Sequence, residues 1–330
     1  MHIEYSRHSQ HSRHLEHSGA LGSPEPAETG LILSNARSAP LRQTVFIIDG
    51  DLAMQPIRSI VHPTDFSDAS AEAFAHALRI ALIAKCRLYV LHISVPADET
   101  DWLSFPHVRE TLARWGLLST MEVPAAVAER LGVKISKVTL EPQAVLPGVQ
   151  TFLDEHAADL IVLTTEGRQG VARWLHGSVA ERVARYARAP TLFVPAGRPG
   201  IVDQTRGELR LRRVLIPIDH APKPAAAIGS ILGFAHALAG LGVEERLLHV
   251  GREAPQVQRH AEPGQLMPVA LRHGDVVEAI VKEATEWQAD LIGMPTAGHD
   301  GFLDALRGST TERVLRQAPC PLLAVPTDLT

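Results

Sequence analysis

Short apolar runs alternate with stretches of helical spacing from about residue 57 to residue 326. Ile57–His62 is an apolar run that ends in Pro63-Thr64-Asp65. Ser67 then stands as an N-cap, and Ala71–Ile83 has the apolar richness of a helix. Leu88–Ile93 is continuously β-like, as expected of a strand covered on both faces. Ser104–Leu131 has helical spacing at Val108, Leu112 and Trp115, and Pro124 must kink or divide it. Val133–Leu140 reads as a third strand and Gln143–His156 as a helix. Strands alternating with helices predict a parallel sheet with right-handed crossovers; the pattern leaves strand order open.

The next window is written twice. Ala158–Pro195 and Ala289–Pro326 align without a gap at a constant offset of 131 and share 19 identities over 38 residues. Each copy runs apolar strand, Thr/Gly-rich loop, Gly-Ser, helical pattern, second apolar strand, which is half of a doubly wound α/β domain. The repetition extends upstream. Val214–Ile218 is a strand that carries Pro217-Ile218-Asp219 where the first pass has Pro63-Thr64-Asp65. FAHAL occurs at Phe74–Leu78 and again at Phe234–Leu238, and Leu248-His249-Val250 matches Leu91-His92-Ile93.

Two domains are therefore expected, at residues 54–197 and 211–327, with a Gly/Pro/charge-rich linker at 198–210. After its second strand the second domain is shorter. The offset drops from 157 to 131, a loss of 26 residues, or about one helix with its loops. That leaves a thin flank, and an apolar sheet face there needs cover from the other domain or another subunit.

Composition narrows the function classes. The chain has 330 residues, is 45% hydrophobic and 21% charged, and contains no apolar run long enough to span a bilayer. A net charge of −5 argues against a surface that coats nucleic acid. Cys86 and Cys320 form no CxxC, which suits a reducing cytoplasm rather than a disulfide framework. Residues 1–53 read as a separate, disordered extension with His2, His8, His11, His14 and His17. Loose metal chelation by His11, His14 and His17 stands against a merely solvated tail, or an upstream start that the cell does not use, with Met54 as initiator. The apolar patch Val45–Ile48 has no place in this scheme.

Three features of each domain meet at the carboxyl edge of the sheet, where open parallel sheets bind ligands. They are the Pro-x-Asp after strand one, the glycine loop after strand four, and the Gly-Ser that opens helix four. Gly167 and Gly177 are separated by nine residues, as are Gly298 and Gly308. A glycine after a strand lets backbone N–H groups approach an anion, and a helix start favours phosphate. Ser178-Val-Ala-Glu181 and Ser309-Thr-Thr-Glu312 are also capping boxes, which need no ligand. Phosphate or nucleotide binding and bare turn chemistry thus stand side by side on the residues alone.

At Pro63-Thr64-Asp65, Leu91-His92-Ile93 and Gly167-x9-Gly177-Ser178, and at their second copies, both halves resemble universal stress protein domains. The resemblance covers Met54 to about Thr327 and is that of a tandem member. It implies two Rossmann-like domains, each an open five-stranded parallel sheet in the order 3-2-1-4-5. It also implies a stress-response role with an adenine nucleotide of the ATP type, with or without Mg²⁺, as ligand. Carried over by position, Asp65 holds the ribose or helps with a metal, with Pro63 and Thr64 beside it in the binding set, the Ile93 backbone reads the adenine edge, and Gly167, Gly177, Ser178 and Val179 hold ribose and phosphates. The matching set is Pro217, Asp219, Val250, Gly298, Gly308, Ser309 and Thr310. Domain pairing through Thr191–Val194 and Leu322–Val325 follows from the same resemblance. A homodimer and a protein partner stay open, and neither nucleic acid nor membrane is expected.

The chain departs from the family pattern at Thr164 and Pro295, where the nucleotide motif begins with glycine. Threonine adds a side chain in the ligand's path, and proline removes a donor. Gln143-Ala144 also stands where the second domain has the family-like Gly274-Asp275. The first domain is favoured on its loop. No Walker A motif is present, no GxGxxG follows a first strand, and no catalytic residue or metal ligand is assigned. His92 and His249 are read as hydrogen-bonded core histidines. The expected function is a nucleotide-binding regulator, with a nucleotide-free scaffold or a slow ATPase as alternatives.

Overall fold

The computed structural model describes residues 45–48, 56–93, 104–119, 121–123, 125–140, 151–165, 189–221, 223–259, 264–296 and 310–327. The first half contains β2 (Ser59–Thr64), α1 (Asp68–Ala84), β3 (Arg87–Ile93), α2 (Val108–Arg114), α3 (Ala125–Leu131), β4 (Lys134–Leu140), β5 (Leu160–Thr164) and β6 (Thr191–Val194). It is preceded by β1 (Val45–Ile48). The second half contains β7 (Arg213–Pro217), α4 (Ala225–Ala239), β8 (Glu244–Val250), β9 (Gln256–Arg259), β10 (Val269–Arg272), α5 (Val276–Glu286), β11 (Leu291–Thr296), α6 (Thr310–Leu315) and β12 (Leu322–Pro326).

Each half arranges five strands in the order 3-2-1-4-5, but the halves are not separate open sheets. They fuse into one ten-stranded sheet, β10-β8-β7-β11-β12-β6-β5-β2-β3-β4. All neighbours are parallel except β12 and β6, which join antiparallel through Leu322↔Phe193, Leu323↔Leu192 and Ala324↔Thr191. The internal pairing expected from the resemblance is thus the seam of a continuous sheet. Strand periodicity places Ile60, Val90, Val162, Leu192, Val214 and Leu323 in one core, and Val61, Leu91, Ile161, Phe193, Leu215 and Leu322 in another. Each core draws residues from both halves.

The helix break before Pro124 has a different cause from the one expected. Gly116 adopts φ +71, so α2 stops at Arg114 and the chain turns well before the proline. Of the helix expected at 143–156, residues 151–155 are helical and 143–150 lie outside the described residues. The expected N-cap is present: Ser67 Oγ accepts from Ser70 N at 3.2 Å.

Residues 198–210 pack as a strap against the first half. His76 Nε2 accepts from Val202 N at 3.2 Å, and Trp115 Nε1 donates to Gln204 O at 2.9 Å. Gly207 has φ +68, and a Cβ there would fall 2.4 Å from the Trp115 ring, so both backbone and space require glycine. Ile201 and Val202 join the core at 0% and 4% exposure.

The thin flank of the second half, where cover from the other domain or another subunit was expected, carries the N-terminal segment. β1 pairs in parallel with β9, from Val45↔Gln256 to Ile48↔Arg259, and α4 lies against β1. Val257 of β9 is fully buried in the core that holds Ile228 and Ile231 of α4. The patch Val45–Ile48 therefore belongs to the second half's structure, although it precedes the first in the chain.

Candidate functional site

The order 3-2-1-4-5 places a switch point between strands one and four of each half. β2 and β5 pair only through Ile60↔Leu160 and Val61↔Ile161, and β7 and β11 only through Leu291↔Val214 and Ile292↔Leu215. Towards their carboxyl ends no further pair joins these strands among the described residues. This is where a crevice opens in a doubly wound sheet.

In the first half a buried polar network lies beside that parting. His62 Nδ1–H donates to Val162 O at 3.0 Å, taking over a carbonyl that the ladder no longer reaches. Ser70 Oγ donates to Thr64 Oγ1 at 2.9 Å and lies 3.5 Å from His62 Nε2. Desolvation pushes His62 down to about 4, against the opposing effects of its carbonyl bond and of the Asp65 charge. The sequence reading missed this Ser–His proximity, because Ser70 lies one helix turn into α1. Both side chains are enclosed, at 1% and 0% exposure, so the pair has no access to a substrate and serves as a satisfied core network.

The carboxylates that follow strand one differ between the halves. Asp65 Oδ1 accepts from Ser67 N at 3.1 Å and Ser67 Oγ at 2.6 Å, which closes the turn into α1. Asp219 is exposed, and its Oδ1 accepts from His220 N at 2.7 Å. Pro63 and Thr64 end β2 in register with Leu91 and His92, and Pro217 ends β7 in register with Leu248. Ile93 pairs with Leu140 and Val250 with Arg272, so both are the last paired residues of their strands.

The two central histidines do the same work twice. His92 Nδ1–H donates to Thr64 O at 2.9 Å, and His249 Nδ1–H to Ile218 O at 3.0 Å. Each ties the end of strand two to the end of strand one, in line with the core-histidine reading. Around them the halves diverge. Phe66 stacks on His92, with ring centroids 4.0 Å apart, whereas His220 meets His249 edge-on at 5.4 Å.

At the entry to the glycine loops, Thr164 is buried in β5 opposite Val194, and Pro295 sits in β11 opposite Val325. The adjoining Thr296 is 5% exposed, and its Oγ1 has no hydrogen-bond partner among the described residues. Gly167, Gly177, Ser178, Val179, Gly298, Gly308 and Ser309 lie outside the described residues. Thr310 is the first residue of α6. Across from it, Asp275 caps α5 by accepting from Val277 N at 2.9 Å and Glu278 N at 3.1 Å, and it pairs with Arg313 at 3.2 Å. The Glu278 amide first, and Arg313 with it, hold this carboxyl below the usual carboxylate range. Cys86 and Cys320 are free, and burial pushes their thiols up to about 11 and 12.

The model of the universal stress protein family matches residues 56–195 and 238–326. A universal stress protein of Methanocaldococcus jannaschii is 36% identical over 143 residues, covering 42% of this chain and 81% of its own. Among solved structures, a universal stress protein from Archaeoglobus fulgidus superposes with TM-score 0.51 at 19% identity, over 84% of this chain and 98% of its own. A functionally unknown protein from Pseudomonas aeruginosa superposes with TM-score 0.54 at 16% identity, over 84% and 95%. Among the described residues no helix is long and apolar enough to cross a membrane.

Proposed function

The chain belongs to the universal stress protein family as a tandem member, and from that premise we propose that it binds an adenine nucleotide of the ATP type at the carboxyl ends of its strands. Binding makes it a regulator rather than a catalyst. The observation that carries the reading is the twofold recurrence of one arrangement. A carboxylate, Asp65 or Asp219, follows strand one beside the point where strands one and four part. Ribose hydroxyls suit a carboxylate acceptor, and the strand-two backbone at Ile93 and Val250 is at hand for a base edge. In the proposal, Gly167, Gly177, Ser178 and Val179, and Gly298, Gly308, Ser309 and Thr310, take the phosphates, with Mg²⁺ as companion where phosphate charge needs it. The same reading puts the protein in the cytoplasm, whose reducing conditions suit two free, buried thiols.

A nucleotide-free interaction module is the second reading, favoured by the β6–β12 seam, which makes the chain an internal pseudo-dimer. One experiment separates the two. Small molecules released on heating the purified protein are identified by mass spectrometry, for the parent and for Asp65→Ala and Asp219→Ala. Near-stoichiometric adenine nucleotide, lost in at least one variant, is expected. If nothing is released and calorimetry detects no binding of MgATP, the module reading replaces the regulator.

A further inference from the structure

Where the first half has Phe66, the second has His220, and the change gathers donor atoms. Asp219, His220 and His249 each present one ligand atom, and these atoms all lie within 4.8 Å of one another. Asp219 Oδ1 is 3.8 Å from His249 Nδ1, and Ile218 O is 3.0 Å from the same nitrogen. Metal–ligand bonds of about 2.0–2.2 Å put the ligands of one tetrahedral ion roughly 3.4 Å apart. Small rotations of the exposed Asp219 and His220 close the remaining gap.

We propose that Asp219, His220 and His249 form a binding site for one divalent transition-metal ion of the zinc class, present in the second half and absent from the first. Two imidazoles and a carboxylate suit zinc and its neighbours; magnesium and calcium take all-oxygen sets. The site is partly built. His249 is buried, and Gly251 packs so closely on its ring that a Cβ there would lie 2.4 Å from Nε2. His220 Nε2 is 3.1 Å from Glu253 O. Donation from that nitrogen leaves the Nδ1 lone pair for the ion, the outer-shell arrangement that orients metal-bound histidines. To ligate, His249 shifts its proton from Nδ1 to Nε2 and gives up the bond to Ile218 O, so the proton stays on the ring and none is released to solvent. The exposed side of Asp219, 68% accessible, leaves room for water in the remaining position.

The first half supplies the control. Phe66 cannot ligate, and Asp65 is drawn back by Ser67. The inference does not rest on nucleotide binding, and its test contains no nucleotide. Zinc is titrated by calorimetry into the full chain with His2, His8, His11, His14 and His17 replaced by glutamine, which removes the other histidine cluster. One zinc per chain is expected. His220→Phe, which installs the first half's residue, and Asp219→Asn, which keeps the side chain's shape, should each weaken binding about tenfold or more. Circular dichroism shows that each variant is folded. Absence of zinc binding in the tail-substituted parent overturns the site, as does unchanged affinity in both variants.

Discussion

The two halves share a topology and a histidine clamp, yet they fill the space around that clamp with opposite chemistry. Beneath strand one the first half buries His62, Thr64 and Ser70, while the second has Ile216, fully buried, in the place of His62. Above the clamp the first half is aromatic, with Phe66 between His92 and Phe105, and the second is polar, with Asp219 and His220. On the outer helix, His76 is enclosed and pins the strap at 198–210, whereas its counterpart His236 is only half-buried, near Arg259. The tie between strands one and two appears in both halves. The buried network does not, so the network and its surroundings are where the halves have room to differ in function.

The strongest test of the shared frame is the seam. Phe193 is fully buried where β6 meets β12, and Phe193→Ala should lower stability by about 3–5 kcal/mol. Urea unfolding should stay a single transition, because both cores span the seam. Two separated transitions would show that the halves stand alone.

Acid should separate the halves next. Burial pushes His62 and His76 of the first half from 6.5 down to about 4. Between those values the unfolded chain takes up protons that the folded chain refuses. Stability present above about pH 6.5 is then lost as pH falls towards 4, by on the order of 3 kcal/mol per histidine. His62→Ile, which copies the second half, should remove about half of that slope. A slope unchanged in the variant would assign the acid sensitivity elsewhere.

The ribbon on the second half is tested by a chain that begins at Met54 and lacks β1. Amides of Gln256–Arg259 should then exchange about tenfold faster, the equivalent of about 1.4 kcal/mol of lost protection, with strands of the first half unaffected. Equal protection with and without residues 1–53 would make β1 dispensable. The smallest effect is expected at the α5 cap. Asp275→Ala should lower the melting temperature by about 2 °C, since two amides lose their acceptor.

Most strand positions were legible, although Ile57–His62 became Ser59–Thr64 and neither β9 nor β10 was anticipated. Leu88–Ile93 became Arg87–Ile93, and Val133–Leu140 became Lys134–Leu140. Strands covered on both faces leave short apolar runs, which α4 also carries, so length and flanking residues separate the two. The break after α2 was placed at the visible proline, because a glycine at positive φ carries no mark in the sequence beyond its identity. His249 was legible as a core histidine from its apolar neighbours, whereas His92, read the same way, is only half-buried. The Ser70–His62 contact was not, because it depends on how α1 lies over β2.

By itself the sequence determined the repeat, the alternation of strands and helices, and the residues that end strand one, because periodicity and offset are local or self-referential properties. Only the tertiary structure decided that the halves fuse into one sheet, that Val45–Ile48 closes the flank of the distant half, and that Asp219, His220 and His249 converge. Each of these depends on pairings between residues far apart in the chain, β1 and β9 being about 210 positions apart. Backbone groups at a strand edge accept any partner that reaches them in register, so the side-chain pattern names the strand without naming its neighbour.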